Sequence, residues 1–159
     1  MNRTFNADSL VARGVFVLCL FLLLGCSQSE DSHQKTDEAK SMIAEKADPL
    51  TNKGIGPIKS IELPHEIDQE MVAQGKAIYE QKCVACHNLT QDLIGPSQAG
   101  VLNRRSPEWV MNLILNPAEM LKKDPIAKEL LVKYNNIPMT DQQVTEEDAR
   151  KILEFFRTI

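Results

Sequence analysis

The chain has 159 residues, 43% of them hydrophobic and 25% charged, with a formal net charge of −4. That length allows one compact domain with accessories, and the acidic balance argues against a nucleic-acid surface, which needs clustered Lys and Arg. The four cysteines can be assigned one by one. Cys19 lies in an apolar N-terminal run, Cys26 directly follows it, and Cys83 and Cys86 form a C-x-x-C that His87 completes. Nothing is left over for a disulfide framework or a four-cysteine zinc site.

Arg3 and Arg13 form a positive N-terminal region, and Val15 to Leu24 is apolar until Gly25-Cys26 ends the run. A membrane span needs about twenty such residues. The run is about half that, which is the length of the apolar region of a secretory signal. Leu23-Leu24-Gly25-Cys26 resembles a bacterial lipobox, in which the cysteine becomes the first mature residue and carries lipid. Leu24 is bulkier than the small residue most often found at that position. The resemblance implies a lipoprotein signal peptide over 1–25, a lipidated Cys26, and an exported protein anchored to the membrane and facing the periplasm or cell exterior. Ordinary cleavage, leaving Cys26 as a free thiol, is the alternative.

Residues 26–68 are polar and acidic, with five Lys against nine Asp or Glu. SQSEDSHQKTDEAK has too little apolar surface to offset the entropy of ordering it. A short helix is conceivable from Asp37 to Ala47, and Asp48-Pro49, Gly54, Gly56-Pro57 and Leu63-Pro64 act as breakers beyond it. The expectation is an acidic flexible tether over 26–68, with a root-mean-square reach of roughly 35 Å.

From residue 69 onward the punctuation predicts an all-α domain of about four helices. The first runs from about Asp68 to Cys83, with Met71, Val72, Ile78 and Tyr79 near one face. Gly95-Pro96 and Gly100 mark a loop. Ser106-Pro107-Glu108 reads as N-cap, first-turn proline and first-turn acid, opening a helix that carries Trp109, Val110, Leu113 and Ile114 and stops near Asn116-Pro117. Asp124-Pro125 repeats the start signal for a helix that Asn135-Asn136-Ile137-Pro138 breaks. Thr145-Glu146-Glu147-Asp148 resembles a capping box opening the last helix.

Cys83-Val84-Ala85-Cys86-His87 is a c-type haem attachment signal. Two thiols at this spacing reach the two vinyl groups of one porphyrin, and the adjacent imidazole reaches the iron. A zinc site needs four ligands, and the other histidines, His33 and His65, lie in the predicted tether. A thioredoxin-like pair expects a βαβ setting that the pattern lacks.

With that motif in place, residues 70–159 resemble a class I cytochrome c. Gly75, Tyr79 and Cys83 match the family's four-residue steps, the glycine allowing the terminal helix to cross closely at Ile152 and Phe155. Gly95-Pro96, Gly100 and Arg104 match its Gly-Pro loop. The resemblance implies one covalent haem c, held as thioethers by Cys83 and Cys86 with His87 as proximal ligand. It implies a Pro96 carbonyl accepting from the His87 ring and Arg104, or neighbouring Arg105, near a haem propionate. The family places its distal methionine on a loop before the last helix, where Met139 stands. Met120 is the next candidate, ahead of Met42, Met71, Met111 and the histidines. Trp109 is expected at the haem edge or in the core.

A His/Met iron with both axial positions filled exchanges one electron without rebuilding its coordination. The expected function is therefore a tethered single-haem electron carrier and not an enzyme. A haem-based redox or gas sensor, or a peroxidase-type enzyme with a displaceable distal methionine, is the alternative. The run from Arg104 to Tyr134 also resembles single-haem lipoprotein cytochromes that accompany nitrous oxide reductases. That points to a copper reductase as acceptor, beside a terminal oxidase, with no nucleic-acid partner.

Overall fold

The computed structural model describes residues 47–159. The expected signal peptide, Cys26, His33 and Met42 lie outside the described residues. Among those described, the elements are α1 (Gln69–Lys82), a 3-10 turn (Val101–Asn103), α2 (Pro107–Leu115), α3 (Pro117–Lys123), α4 (Pro125–Lys133) and α5 (Glu146–Phe156). None of these helices is long and apolar enough to cross a membrane.

Each long helix starts where a short polar side chain satisfies its first free amides. Asp68 accepts from Glu70 N and Met71 N to open α1. Ser106, Asp124 and Thr145 do the same for α2, α4 and α5, accepting from Trp109 N, Ala127 N and Asp148 N. Helix α3 corrects the expectation of about four helices. Pro117 forces Asn116 out of the helical region, to φ −144° and ψ 54°, because the ring crowds the residue before it. The same ring is favourable at the first position of a new helix, so one proline ends α2 and begins α3.

Helices α1 and α5 cross at Gly75. A Cβ built there would lie 2.0 Å from Lys151 O and 2.9 Å from Ile152 N, so the two backbones touch. Around the crossing the Tyr79 ring centroid lies 5.6 Å from that of Phe155 and 5.7 Å from that of Phe156. Ile152 and Leu153 are wholly buried beside them.

Residues 47–68 correct the tether expectation. The segment runs without helix or strand as a strap along α2 and α3 and then to α5, where Asp68 N donates to Glu154 and Arg157 donates to Pro64 O, and Ile58 is buried in the core. Asn112, with no solvent exposure, donates to Lys53 O and Ile58 O and accepts from Ile58 N. Ser106 Oγ donates to Asn52 O at 2.6 Å, and Ile55 N donates to the Met120 sulfur at 2.9 Å. The breakers Gly54 and Gly56-Pro57 prevent a helix but permit the chain to follow the helices closely. A Cβ on Gly56 would stand 2.2 Å from Asn112 Oδ1. Composition missed this because the strap is held by its backbone amides and carbonyls, which every residue type carries.

Glu154 on α5 is 1% exposed and is bonded by Arg150 and Arg157 and by Asp68 N. Burial raises its pKa, but hydrogen bonds from Arg157, Arg150 and Asp68 N outweigh that, and the carboxyl ends below its ordinary value. A carboxyl depressed by folding stabilises the native state at neutral pH, and that contribution is lost as pH falls below about 4.3 toward the folded value. Glu154→Gln is expected to lower stability at neutral pH by about 1–3 kcal/mol, leaving the half-buried Arg150 and Arg157 without the buried anion they share. It should also flatten the acid limb of the stability curve. Urea denaturation at a series of pH values checks both.

Candidate haem site

Helix α1 ends in a tight turn: Cys86 N and His87 N both donate to Cys83 O, at 3.0 and 2.9 Å. That turn puts both thiols and the imidazole on one wall of a cavity of about 680 Å³, a size suited to a cofactor. Neither Cys83 nor Cys86 is in a disulfide. Burial, with a smaller push from Cys86 and an opposing pull from Lys82, raises the Cys83 thiol to about 11. Tyr79 OH donates to His87 O at 2.9 Å. Burial, with Cys83 adding to it, pushes the phenol up to about 12, so it stays a donor through the neutral range.

The His87 ring is oriented by the loop that follows. Its Nδ1 lies 2.9 Å from Pro96 O. Gln98 Nε2 lies 3.0 Å from the same nitrogen; a proline carbonyl can only accept, so in the tautomer with Nδ1 protonated the ring donates to Pro96 O and Nε2 keeps its lone pair. Gln98 Nε2 donates to the same carbonyl at 2.7 Å. The loop comes so close that a Cβ on Gly95 would lie 2.4 Å from His87 Cε1, and Gly95 N ties the loop back to Cys86 O at 2.9 Å.

A further part of the lining comes from the segment between α4 and α5. Asn135 and Asn136 take φ of 59° and 58°, a left-handed pair that asparagine tolerates better than most residues. The chain reverses there and leads Met139 to the cavity. Two bonds pin this segment to the motif side: Tyr134 OH donates to Asp92 Oδ2 at 2.7 Å and Lys82 Nζ to Gln142 O at 3.0 Å. The Tyr134 bond heads the causes that hold the Asp92 carboxyl below its usual range, followed by the amide of Ser97.

The other methionines stand elsewhere. Met111 is packed in the core, and Met120 is fully buried with its sulfur accepting from the strap. Met71 lies on α1. Among the described residues Met139 is the methionine lining the cavity. His65 is exposed, and its carbonyl accepts from Arg157.

Arg104, Arg105 and Trp109 line the cavity as well, with different commitments. Arg104 spends its guanidinium on Ala99 O and Ser97 O, at 2.7 and 3.0 Å. Arg105 sits 5.3 Å over the Trp109 ring, and its Nε is buried without a hydrogen-bond partner. A buried donor left unpaired costs about 1–3 kcal/mol, so this wall fits a group that brings an acceptor such as a carboxylate. The Trp109 indole donates to Asp124 Oδ1 at 3.0 Å. Sequence reasoning read Asp124 only as a helix start. Its burial at 2% exposure depends on the strap, which no local pattern reveals.

The residues therefore fit a covalently held haem: two thiols, an imidazole, a thioether lining the same cavity and arginines beside it. The family model described as Cytochrome c matches residues 72–159. A solved cytochrome c from Rhodothermus marinus is 40% identical, covering 65% of this chain and 88% of that one, with a TM-score of 0.63. An engineered form of that cytochrome, bound to a carbene intermediate, is 38% identical over 65% of this chain and 88% of its own, with a TM-score of 0.60. No curated protein matches the chain.

Gly95→Ala is expected to push the loop away from the imidazole and break the Nδ1–Pro96 bond, destabilising the protein by about 1–3 kcal/mol. Denaturation midpoints and the NMR signals of the His87 ring protons check this.

Proposed function

The chain belongs to the cytochrome c family, with one covalently attached haem c and haem-based electron transfer, and from that premise we propose a carrier whose iron is held by His87 and Met139. Cys83 and Cys86 are the thioether attachment points. The observation that carries the reading is the His87 ring, whose Nδ1 is fixed by Pro96 O while Nε2 and the Met139 side chain are left to one shared cavity. Bound haem supplies a one-electron iron couple.

The chain's own residues do the rest. Pro96, Gln98 and Tyr79 hold the imidazole and its backbone, raising ligand basicity and keeping its tautomer. The Tyr134–Asp92 and Lys82–Gln142 bonds hold the segment that carries Met139, so its thioether would hold the iron from that segment and would shield it from small ligands. A thioether there favours the reduced iron. Arg104 and Arg105 both line the cavity as candidate partners for a haem propionate; Arg104 uses two guanidinium nitrogens on backbone carbonyls and Arg105 uses one. With His87 and Met139 both committed to the iron, no open site would be left for a substrate, so the protein would carry electrons and not act as an enzyme.

The finer biology rests on sequence. The signal-like run over 1–25 and the lipobox-like Leu23-Leu24-Gly25-Cys26 support export and a lipid anchor on Cys26, placing the protein at a membrane facing the periplasm or cell exterior. Donor and acceptor are other redox proteins, with a copper-containing nitrous oxide reductase or a terminal oxidase as acceptor. Acyl mass on Cys26 of the native mature protein tests the anchor.

Acid–acetone extraction is expected to leave the haem on the polypeptide, and release of free haem would refute the attachment. Met139→Ala should abolish the methionine-to-iron charge-transfer band, lower the reduction potential and admit carbon monoxide to the ferrous protein. Met120→Ala should keep the band while losing about 2–5 kcal/mol of stability. A wild-type protein that binds carbon monoxide readily would instead be a sensor or a peroxidase-type enzyme.

A further inference from the structure

Asp124 is a buried carboxylate that nothing in the electron-carrier reading uses. It is 2% exposed. Oδ1 accepts from Trp109 Nε1 at 3.0 Å and from Ala127 N at 2.8 Å, and Oδ2 accepts from Asn52 Nδ2 at 2.7 Å. A helix cap needs only the Ala127 bond. The other two reach in opposite directions, one to a wall of the cavity and one to the strap. All three donors are neutral, so no cation is bonded to it. The cation it acts on is Arg105, which stacks on the face of the same Trp109 ring and, like that ring, lines the cavity.

We propose that Asp124 is a positioning residue for the redox centre: through Trp109 it fixes the platform under Arg105, and through Asn52 it makes the N-terminal strap a determinant of the ferric–ferrous balance. The inference rests on the haem site proposed above. Its physical basis is Coulombic. Arg105 favours the state with the extra electron, and the negative charge of Asp124 behind the indole opposes it, with little solvent to screen that buried carboxylate. The Asn52 amide attenuates that negative charge. Asn52 is itself set by the strap, since its Oδ1 accepts from Gly54 N at 2.8 Å and its carbonyl accepts from Ser106 Oγ.

The test is a redox titration of the haem-loaded full-length protein and its variants, each paired with a urea denaturation curve. Asp124→Asn removes the charge and should raise the ferrous-to-ferric ratio at a fixed ambient potential about tenfold, equivalent to ~59 mV for a one-electron couple. Asn52→Ala keeps the charge but removes its amide, and should shift the ratio two- to threefold the other way. Asn112→Ala breaks three strap bonds away from Asp124, and should lower the denaturation midpoint with the potential unchanged. If Asp124→Asn loses stability while its potential matches the wild type, Asp124 is only a cap and the proposal is overturned. Should Asp124→Asn fail to fold, an unmoved potential in Asn52→Ala overturns it equally. A wild-type protein without a reversible one-electron couple overturns the carrier reading, and this inference with it.

Discussion

Two helical backbones can touch only where one of them lacks a side chain, and the contact between α1 and α5 at Gly75 is the constraint on which this domain is built. It fixes the direction of α1, and therefore where the Cys83–His87 turn opens. It also sets the depth at which Phe155 and Phe156 meet Tyr79, whose hydroxyl holds His87 O. Overpacking such a crossing costs about 1–3 kcal/mol or more, and the displacement would be passed along α1 to the motif.

The site combines a rigid wall with a suspended one. On the His87 side the Gly-Pro loop is bound through Pro96 O, Gly95 N and the ring itself. On the Met139 side the segment is irregular and held at its ends by Tyr134 and Gln142. A soft thioether on a segment anchored at both ends suits a centre that must keep the same ligands through oxidation and reduction. Arg104 and Arg105 show how neighbours in sequence part in role: the first is consumed by carbonyls, the second keeps a buried donor free.

Much of this was legible in the sequence. Four helix starts were announced by Asp68, Ser106, Asp124 and Thr145, because capping is local chemistry. The C-x-x-C-H turn and the Gly-Pro loop were legible for the same reason, their geometry being set within a few residues, whereas the place of Met139 depends on the long-range bonds of Tyr134 and Lys82. Two things were hidden. Helix α3 begins at a proline that reads equally well as a stop, and the choice depends on Met120 being buried beneath the strap. The strap itself is written in backbone hydrogen bonds to Asn112 and in one buried isoleucine, Ile58, neither of which has a compositional signature. Asp124 stayed unremarked because its burial depends on that strap.

The strap also decides where the polypeptide can be cut. A fragment begun at residue 69, where the helical pattern starts, would leave the Asn112 amide with none of its partners and one oxygen of Asp124 without a donor. It would also uncover Met120 and the core beside Ile58. Each stranded polar group costs about 1–3 kcal/mol, against the roughly 5–15 kcal/mol that holds a whole domain together. The smallest autonomous unit therefore starts ahead of Asp48, and the segment whose composition reads as a linker belongs to the folded body.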